Sequence, residues 1–294
     1  MKASKPVSIL LLALLALPFA VTQADGQDLI EPSGSGNINW SQGVVEAVGI
    51  GAPPEKYYGK PQARPMALRA AKVDAMRNLL EATKGVQIDS NTTVSGFMVE
   101  SDVISAKVQG MVRGAKIVKQ EYLSDGTVEI TMQMPLNGGF AQLVLPKEIK
   151  QIEPIKAVAH EPETPAAPAS APAGDVPRSD AIVYTGLVVD ARGIDVRPAM
   201  APKVIDEKGQ EVYGSAFVSR EFAVQQGMSG YARDLTAAQS NTRVTNNPLT
   251  VKGLRTEGSG RSNIVVSNAD ATNLRSASEH LSFLKKCRVM IVVD

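Results

Sequence analysis

Histidine, cysteine and aromatic side chains are scarce in this 294-residue chain, which holds two His, one Cys, one Trp and 4% aromatic residues. With Cys287 alone there is no intramolecular disulfide, so stability must come from packed cores. His160 falls in a Pro/Ala-rich stretch and His280 beside Leu281 on an expected helix surface. A hydrolytic triad or a His-based metal site requires a histidine with partners inside a folded pocket, for which only His280 could qualify, and a structural place on the helix surface is the simpler reading for it. An excess of positive charge is also lacking: 31 basic side chains stand against 30 acidic ones, which argues against nucleic acid as a partner. Gly49-Ile50-Gly51 and Gly258-Ser259-Gly260 lack the following Lys-Ser/Thr of a phosphate loop. The expectation is therefore a non-enzyme with no catalytic residues, no cofactor and no metal.

What is present begins with a leader. Lys2 and Lys5 precede an apolar run from Ile9 to Ala20, and Thr22-Gln23-Ala24 supplies small residues where a signal peptidase reads. The run is short for a membrane span. No Cys follows it, so residues 1–24 are expected to be a cleaved signal peptide, with neither a lipid anchor nor a transmembrane segment in the mature protein. Removal of Lys2 and Lys5 would leave 29 basic against 30 acidic side chains. The Asn91-Thr92-Thr93 sequon carries no weight with a leader of this style.

From Glu153 to Arg178, six prolines stand among alanines with no aromatic residue. Such a stretch has too few backbone donors and too little apolar surface to fold. It divides the chain into a domain at 25–152, a linker at 153–178 and a second domain at 179–294. A passive tether is a simpler reading than a recognition strip for a Pro-binding domain. In polyproline geometry, at about 3.1 Å per residue, its reach would allow the domains to stand tens of ångströms apart. The expected fold class is α+β, as two small mixed α/β domains.

In the first domain, alternating residues predict a strand over Asn37 to Gly51 with a bulge or kink at Gly43. A turn-rich loop follows, holding Tyr57 and Tyr58, which either anchor the loop on its own domain or form a partner contact. Ala67, Ala71, Ala75, Leu79 and Ala82 then make a narrow apolar stripe on a helix that starts near Pro65 and stops at Gly85. Arg64, Arg69, Lys72, Asp74, Arg77 and Glu81 lie mainly on its solvated side. A short strand is expected at 85–88. A second helix follows, capped by Ser101 or Ser95 and carrying Ile104, Val108, Met111 and Val112. A hairpin of Ala115 to Leu123 and Val128 to Met134 turns at Asp125-Gly126.

The run Ala63-Arg64-Pro65-Met66-Ala67, with Asp74, Leu79-Leu80, Gly85-Val86, Ser101-Asp102-Val103-Ile104, Gly110, Gly114-Ala115-Lys116-Ile117-Val118 and Asp125-Gly126, resembles the domain of the LPP-twenty lipoprotein family. A similar domain forms the N-terminal part of FlgT, the flagellar H-ring protein. The resemblance covers about residues 37–136 and rests on structural residues, so it transfers no catalytic group. It implies envelope or flagellar proteins as partners; self-association is a further option, and the leader without a lipid-site Cys leads to the expectation of a mature protein in the periplasm or peripheral to the outer membrane. The chain departs from the lipoprotein pattern in lacking the lipid-site Cys.

In the second domain, strands are expected at 181–190, 203–206, 212–214, 249–254 and 262–266. A turn is expected at Glu207-Lys208-Gly209-Gln210 and a short helix at 232–238. A helix capped by Asn268 or Asp270 carries Ala271, Leu274, Ala277, Leu281 and Leu284. The closing aliphatic run Val289–Val293 predicts an interior strand covered on both faces. The domain is similar to uncharacterised C-terminal extensions of exported proteins. Arg192 and Arg197 follow a buried strand, where they either grip an oxyanion or pair with Asp190, Asp195 or Asp206; local pairing is the simpler reading. Cys287, between the last helix and strand, reads as a buried inert thiol. The leading function is a non-catalytic exported envelope protein that takes part in assembly. A periplasmic small-ligand-binding module comes second and an enzyme third.

Overall fold

The structure is a computed structural model and describes residues 28–149, 184–277 and 282–294. It is an α+β protein with two sheets. The first half runs β1 (Ile30–Ser33), β2 (Gly36–Asn39), β3 (Val44–Gly51), α1 (Ala63–Lys84), α2 (Val94–Val99), α3 (Asp102–Arg113), β4 (Lys116–Tyr122), β5 (Val128–Pro135) and α4 (Gly139–Val144). Its strands form an antiparallel sheet in the order β1-β2-β3-β5-β4.

Helix α1 covers one face of that sheet with the expected stripe: Ala67, Ala71, Ala75, Leu79 and Ala82 are all fully buried. Small side chains on the helix are matched by absent side chains on the strand. A Cβ on Gly49 would meet the backbone of Ala71 and Ala75, and one on Gly51 the backbone of Ala67 and Ala71. Beyond the end of β2, the outer edge of β3 has no strand partner. There the Ile50 N–H donates to Asp74 Oδ2 at 3.0 Å, and Asn78 Nδ2 donates to the Val48 carbonyl at 2.8 Å. Asp74 thus satisfies sheet backbone where the helix pattern placed it on the solvated side.

Three local expectations changed. The single strand over residues 37–51 is a hairpin, because the Gln42 N–H donates to Asn39 Oδ1 at 3.0 Å and Gly43 takes φ +66°, which together reverse the chain. Residues 85–88 contribute a single bridge, Gln87 to Thr93. Ser101 caps α3, whereas Ser95 lies inside α2, whose cap is Thr93.

The second half contains β6 (Gly186–Asp190), β7 (Lys203–Ile205), β8 (Glu211–Tyr213), α5 (Arg220–Gln226), β9 (Gly230–Ala232), α6 (Leu235–Gln239), β10 (Pro248–Glu257), β11 (Asn263–Val266), α7 (Asn268–Ala277), α8 (Ser282–Lys285) and β12 (Val289–Val292). The mixed sheet has the order β8-β7-β11-β10-β6-β12-β9. Strand β12 is buried along its length and pairs in parallel with β6 and β9, the interior position its aliphatic run predicts. Ala232 ends β9, so the short helix begins later than expected, with Asp234 accepting from the Ala237 N–H at 2.7 Å. Ser267 caps α7: it accepts from the Asp270 N–H at 3.0 Å and donates to Asp270 Oδ2 at 2.8 Å. Asp270 is therefore the third residue of a reciprocal cap. The linker and His160 lie outside the described residues, as does His280.

The halves pack directly on each other. Met200 and Ala201 N–H groups donate to the Gln87 and Ile88 carbonyls at 3.0 and 2.7 Å, and the Gly260 N–H donates to Ser90 O at 2.6 Å. Gly138 N–H reaches Val224 O at 2.7 Å, and Arg220 reaches Pro146 O and Gln142 O at 2.8 and 3.0 Å. The reach available to the linker is not used to hold the described halves apart.

Candidate functional sites

At the junction a cleft of about 250 Å³ opens between Trp40, Leu136 and Leu145 of the first half and Met200, Tyr231 and Arg243 of the second. Trp40 and Tyr231 meet edge to face, 5.7 Å between centroids and 64° between planes. The Tyr231 hydroxyl donates to Ala199 O at 2.8 Å and accepts from the Ala199 N–H at 2.9 Å. Ser41 Oγ accepts from the Leu29 N–H at 3.0 Å and donates to Tyr231 O at 3.1 Å. The aromatic pair is thereby held from both halves.

Arg243 is half-buried and makes no ion pair among the described residues. Its Nε donates to Cys287 O at 2.8 Å, while Nη1 and Nη2 donate to Gln226 O and Gly227 O at 2.8 and 2.5 Å. The guanidinium thus satisfies orphan carbonyls at the C-terminal end of α5, where a cation is electrostatically favoured. Burial lowers its pKa from the usual guanidinium value, opposed by nearby Tyr213, Cys287 and Tyr231. Ser229 Oγ is also buried on the cleft wall, close enough to the Tyr231 hydroxyl to favour its ionised form against burial. Burial pushes Tyr231 up to about 12 and Cys287 up to about 11. Both groups hold their protons near neutral pH, and the cleft presents the Arg243 cation beside a lining that mixes Trp40, Leu136, Leu145 and Met200 with Gln42, Asn137 and Gln225. Sequence reasoning missed Arg243, whose surroundings Asn241, Thr242, Val244 and Thr245 give no local sign that it turns inward.

The residues singled out from sequence fall elsewhere. Arg192 grips Asp190 with two bonds of 2.7 Å, the local pairing. Arg197 instead crosses to the first half and pairs with Glu31 Oε1 at 2.7 Å, while Glu31 Oε2 accepts from the Trp40 indole at 2.9 Å. Asp195 and Asp206 are taken by Arg261 and Arg275. The two arginines therefore engage carboxylates in different halves. Tyr58 is 56% exposed. Tyr57 is half-buried, with the ammonium groups of Lys56 and Lys60 at 5.1 and 5.7 Å from its ring centre. Cys287 is fully buried, as expected of an inert thiol.

A second surface lies at the edge of the first sheet. Among the described residues, strand β4 has one strand neighbour, β5, and all seven of its residues are exposed. Ile117, Val118, Tyr122 and the adjoining Leu123 are between 41% and 50% exposed. Arg64 lies over the Tyr122 ring at 5.4 Å, which ties this edge to the start of α1.

Among the described residues, no helix is long and apolar enough to cross a membrane, and no group of three or more His, Cys, Asp or Glu side chains is placed to hold a metal ion. No curated protein matches the chain. Residues 186–294, which run from the first residue of β6 to the last of the chain and so carry the seven-stranded sheet, Arg243 and Cys287, are similar to the second domain of Treponema pallidum Tp0624.

Proposed function

We propose that this chain is an exported, non-catalytic envelope protein that works by assembly with other proteins in the periplasm or at the outer membrane, with a flagellar structure as the finer form of that reading. The observation that carries it is the exposed apolar surface of the first half: Tyr58, Ile50, Val118, Tyr122 and Leu123 are each between 48% and 56% exposed. The leader and the LPP-twenty resemblance support it. Buried apolar area contributes about 25 cal/mol per Å², so two tyrosines desolvated at a contact stabilise it by a few kcal/mol. Tyr57→Asp combined with Tyr58→Asp should leave the fold intact by circular dichroism and abolish capture of envelope proteins after mild crosslinking. Undiminished capture by the folded variant refutes the reading at this surface.

The second reading, a module that binds a small periplasmic ligand, is favoured by the cleft and its fixed Arg243 cation. A ligand that binds only the folded state raises the unfolding temperature, by an amount that grows with the logarithm of its concentration above Kd. A small carboxylate or phosphate that stabilises the protein at millimolar concentration, with Tyr58→Asp leaving the effect unchanged, favours this second reading.

A further inference from the structure

The β4 edge and its flank read Ile117-Val118-Lys119-Gln120-Glu121-Tyr122-Leu123, and this order is complementary to its own reverse. When two copies run antiparallel about a two-fold axis at Gln120, Lys119 faces Glu121 of the second copy and Glu121 faces its Lys119. The register shift between Ile117 and Lys119 leaves Val118 without a partner on β5, so the regular facing runs from Lys119 to Glu121, with apolar Val118 and Tyr122 flanking it. Lys119 and Glu121 lie on one face of the strand, opposite Thr131 and Glu129 of β5, and already form a 2.9 Å ion pair within the chain. In the paired edge the four charges alternate in sign. The neighbouring two-fold registers, centred on Lys119 or Glu121, set like charges directly opposite each other, which is unfavourable across a strand pair.

We propose that this edge is a self-association surface whose occupant is the β4 strand of a second copy of this chain, extending the five-stranded sheet across a two-fold axis. An exposed lysine and a bulge, here the irregularity between Ile117 and Lys119, normally discourage strands from adding to an edge. On this edge Lys119 meets a carboxylate in one register alone, so the same residue that repels general partners selects its own copy. The loop with Tyr57 and Tyr58 stands at the hairpin end of the edge, since a Cβ on Gly126 would lie 3.5 Å from Pro53. A single edge pairing is a small interface, so the expected dissociation constant is on the order of 100 μM, within reach of a protein concentrated in an assembly.

The inference deepens the assembly reading by naming the partner at one edge, and it is tested on the purified mature chain alone, so the two can fail separately. Sedimentation velocity up to about 1 mM should show a reversible dimer. Lys119→Glu and Glu121→Lys should each weaken it roughly tenfold or more while keeping the far-ultraviolet spectrum. Mixed together, the two variants should pair with each other, because opposite charges again face across the axis. Gln120→Cys should form a disulfide-linked dimer on mild oxidation, since directly opposed residues stand about 4.5–5.5 Å apart at Cα. Lys116→Cys should not, its two copies being separated by about 27 Å along the strands. A wild-type chain that stays monomeric at the highest concentration overturns the proposal, whether or not it captures another envelope protein. So does crosslinking equal at positions 116 and 120, or a mixture of the charge variants no better associated than either alone.

Discussion

Replacing Gly49 with alanine tests the seam between α1 and β3. The added Cβ would lie 2.5 Å from the Ala75 Cα and nearer still to the Ala75 nitrogen and Ala71 carbonyl. Carbon atoms pack best at about 3.5–4.0 Å, so α1 must move outward by about 1 Å or more. All three of these neighbours are backbone atoms, so no side-chain rotation relieves the clash. A shift of that size loosens the contacts of Ala67, Ala71, Ala75, Leu79 and Ala82, all of which are fully buried. Overpacking of a close-packed core costs about 1–3 kcal/mol, and this site sits at the upper end. The reduced freedom of the unfolded chain offsets about 0.4–1 kcal/mol of it. The expected net loss is about 2–3 kcal/mol, or roughly 4–12 °C in Tm for a protein of this size. Gly110 is the control: it is exposed within α3, and a Cβ there meets nothing within 4 Å. Gly110→Ala should therefore stabilise by about 0.5–1 kcal/mol through helix propensity alone. Urea unfolding of both variants with unchanged m values would measure the opposite signs. A Gly49→Ala chain as stable as the parent would refute the close-approach argument.

Asp206 is 2% exposed, and although burial works to raise its pKa, hydrogen bonds from the Gln210 N–H, Arg275 and the Lys208 N–H bring it below the ordinary 3.8. Its stabilisation is present in full above the unfolded value and lost as pH falls through the folded one. The Tm gap between wild type and Asp206→Asn should therefore narrow on acidification from pH 7 to 3, and a gap independent of pH would refute this. Cys287, fully buried and raised to about 11, should resist alkylation at pH 8 until the protein is unfolded; rapid labelling of the native chain by a thiol reagent would show the site to be open. At the junction, Arg197→Ala should cost under about 1 kcal/mol because the pair is solvated, whereas Glu31→Ala also leaves the 5%-exposed Trp40 indole without its acceptor and should cost about 1–3 kcal/mol. Trp40 is the one tryptophan of the chain, so its emission reports this contact directly.

Much of the fold was legible where a residue pattern and a packing role coincide. The alanine stripe of α1 and the aliphatic β12 state their burial in their own side chains, and the Asp125-Gly126 pair states its turn. The hairpin of β2 and β3 was less legible, because Asn39 and Gly43 reverse the chain through one side-chain acceptor and one positive φ, a signal that a kinked strand carries equally well. Helices α4 and α5 are short; Gly138 before α4 is a weak start signal, and Ser219 before α5 makes no capping bond to the helix. The place of Asp74 depended on where β2 stops, since the β3 backbone it serves is left open by that strand's length and not by anything near residue 74.

The candidate sites divide along the same line. Many contacts at the junction end on main-chain carbonyls: Gln87, Ile88 and Ser90 for the packing of the halves, Gln226, Gly227 and Cys287 for Arg243, beside the side-chain contacts of Arg197 with Glu31 and Trp40 with Tyr231. A carbonyl acceptor is the same for every residue type, so neither those docking bonds nor the inward turn of Arg243 leaves a mark in composition or spacing. The linker's length sets how far the halves could separate, whereas these bonds set where they sit, and only the first quantity is written in the sequence. The β4 edge is the opposite case. Its recognition code lies in side chains at consecutive positions, so the alternation of apolar, cationic and acidic groups about Gln120 is readable once the fold establishes that this strand, unlike β5 beside it, has a neighbour on one side only.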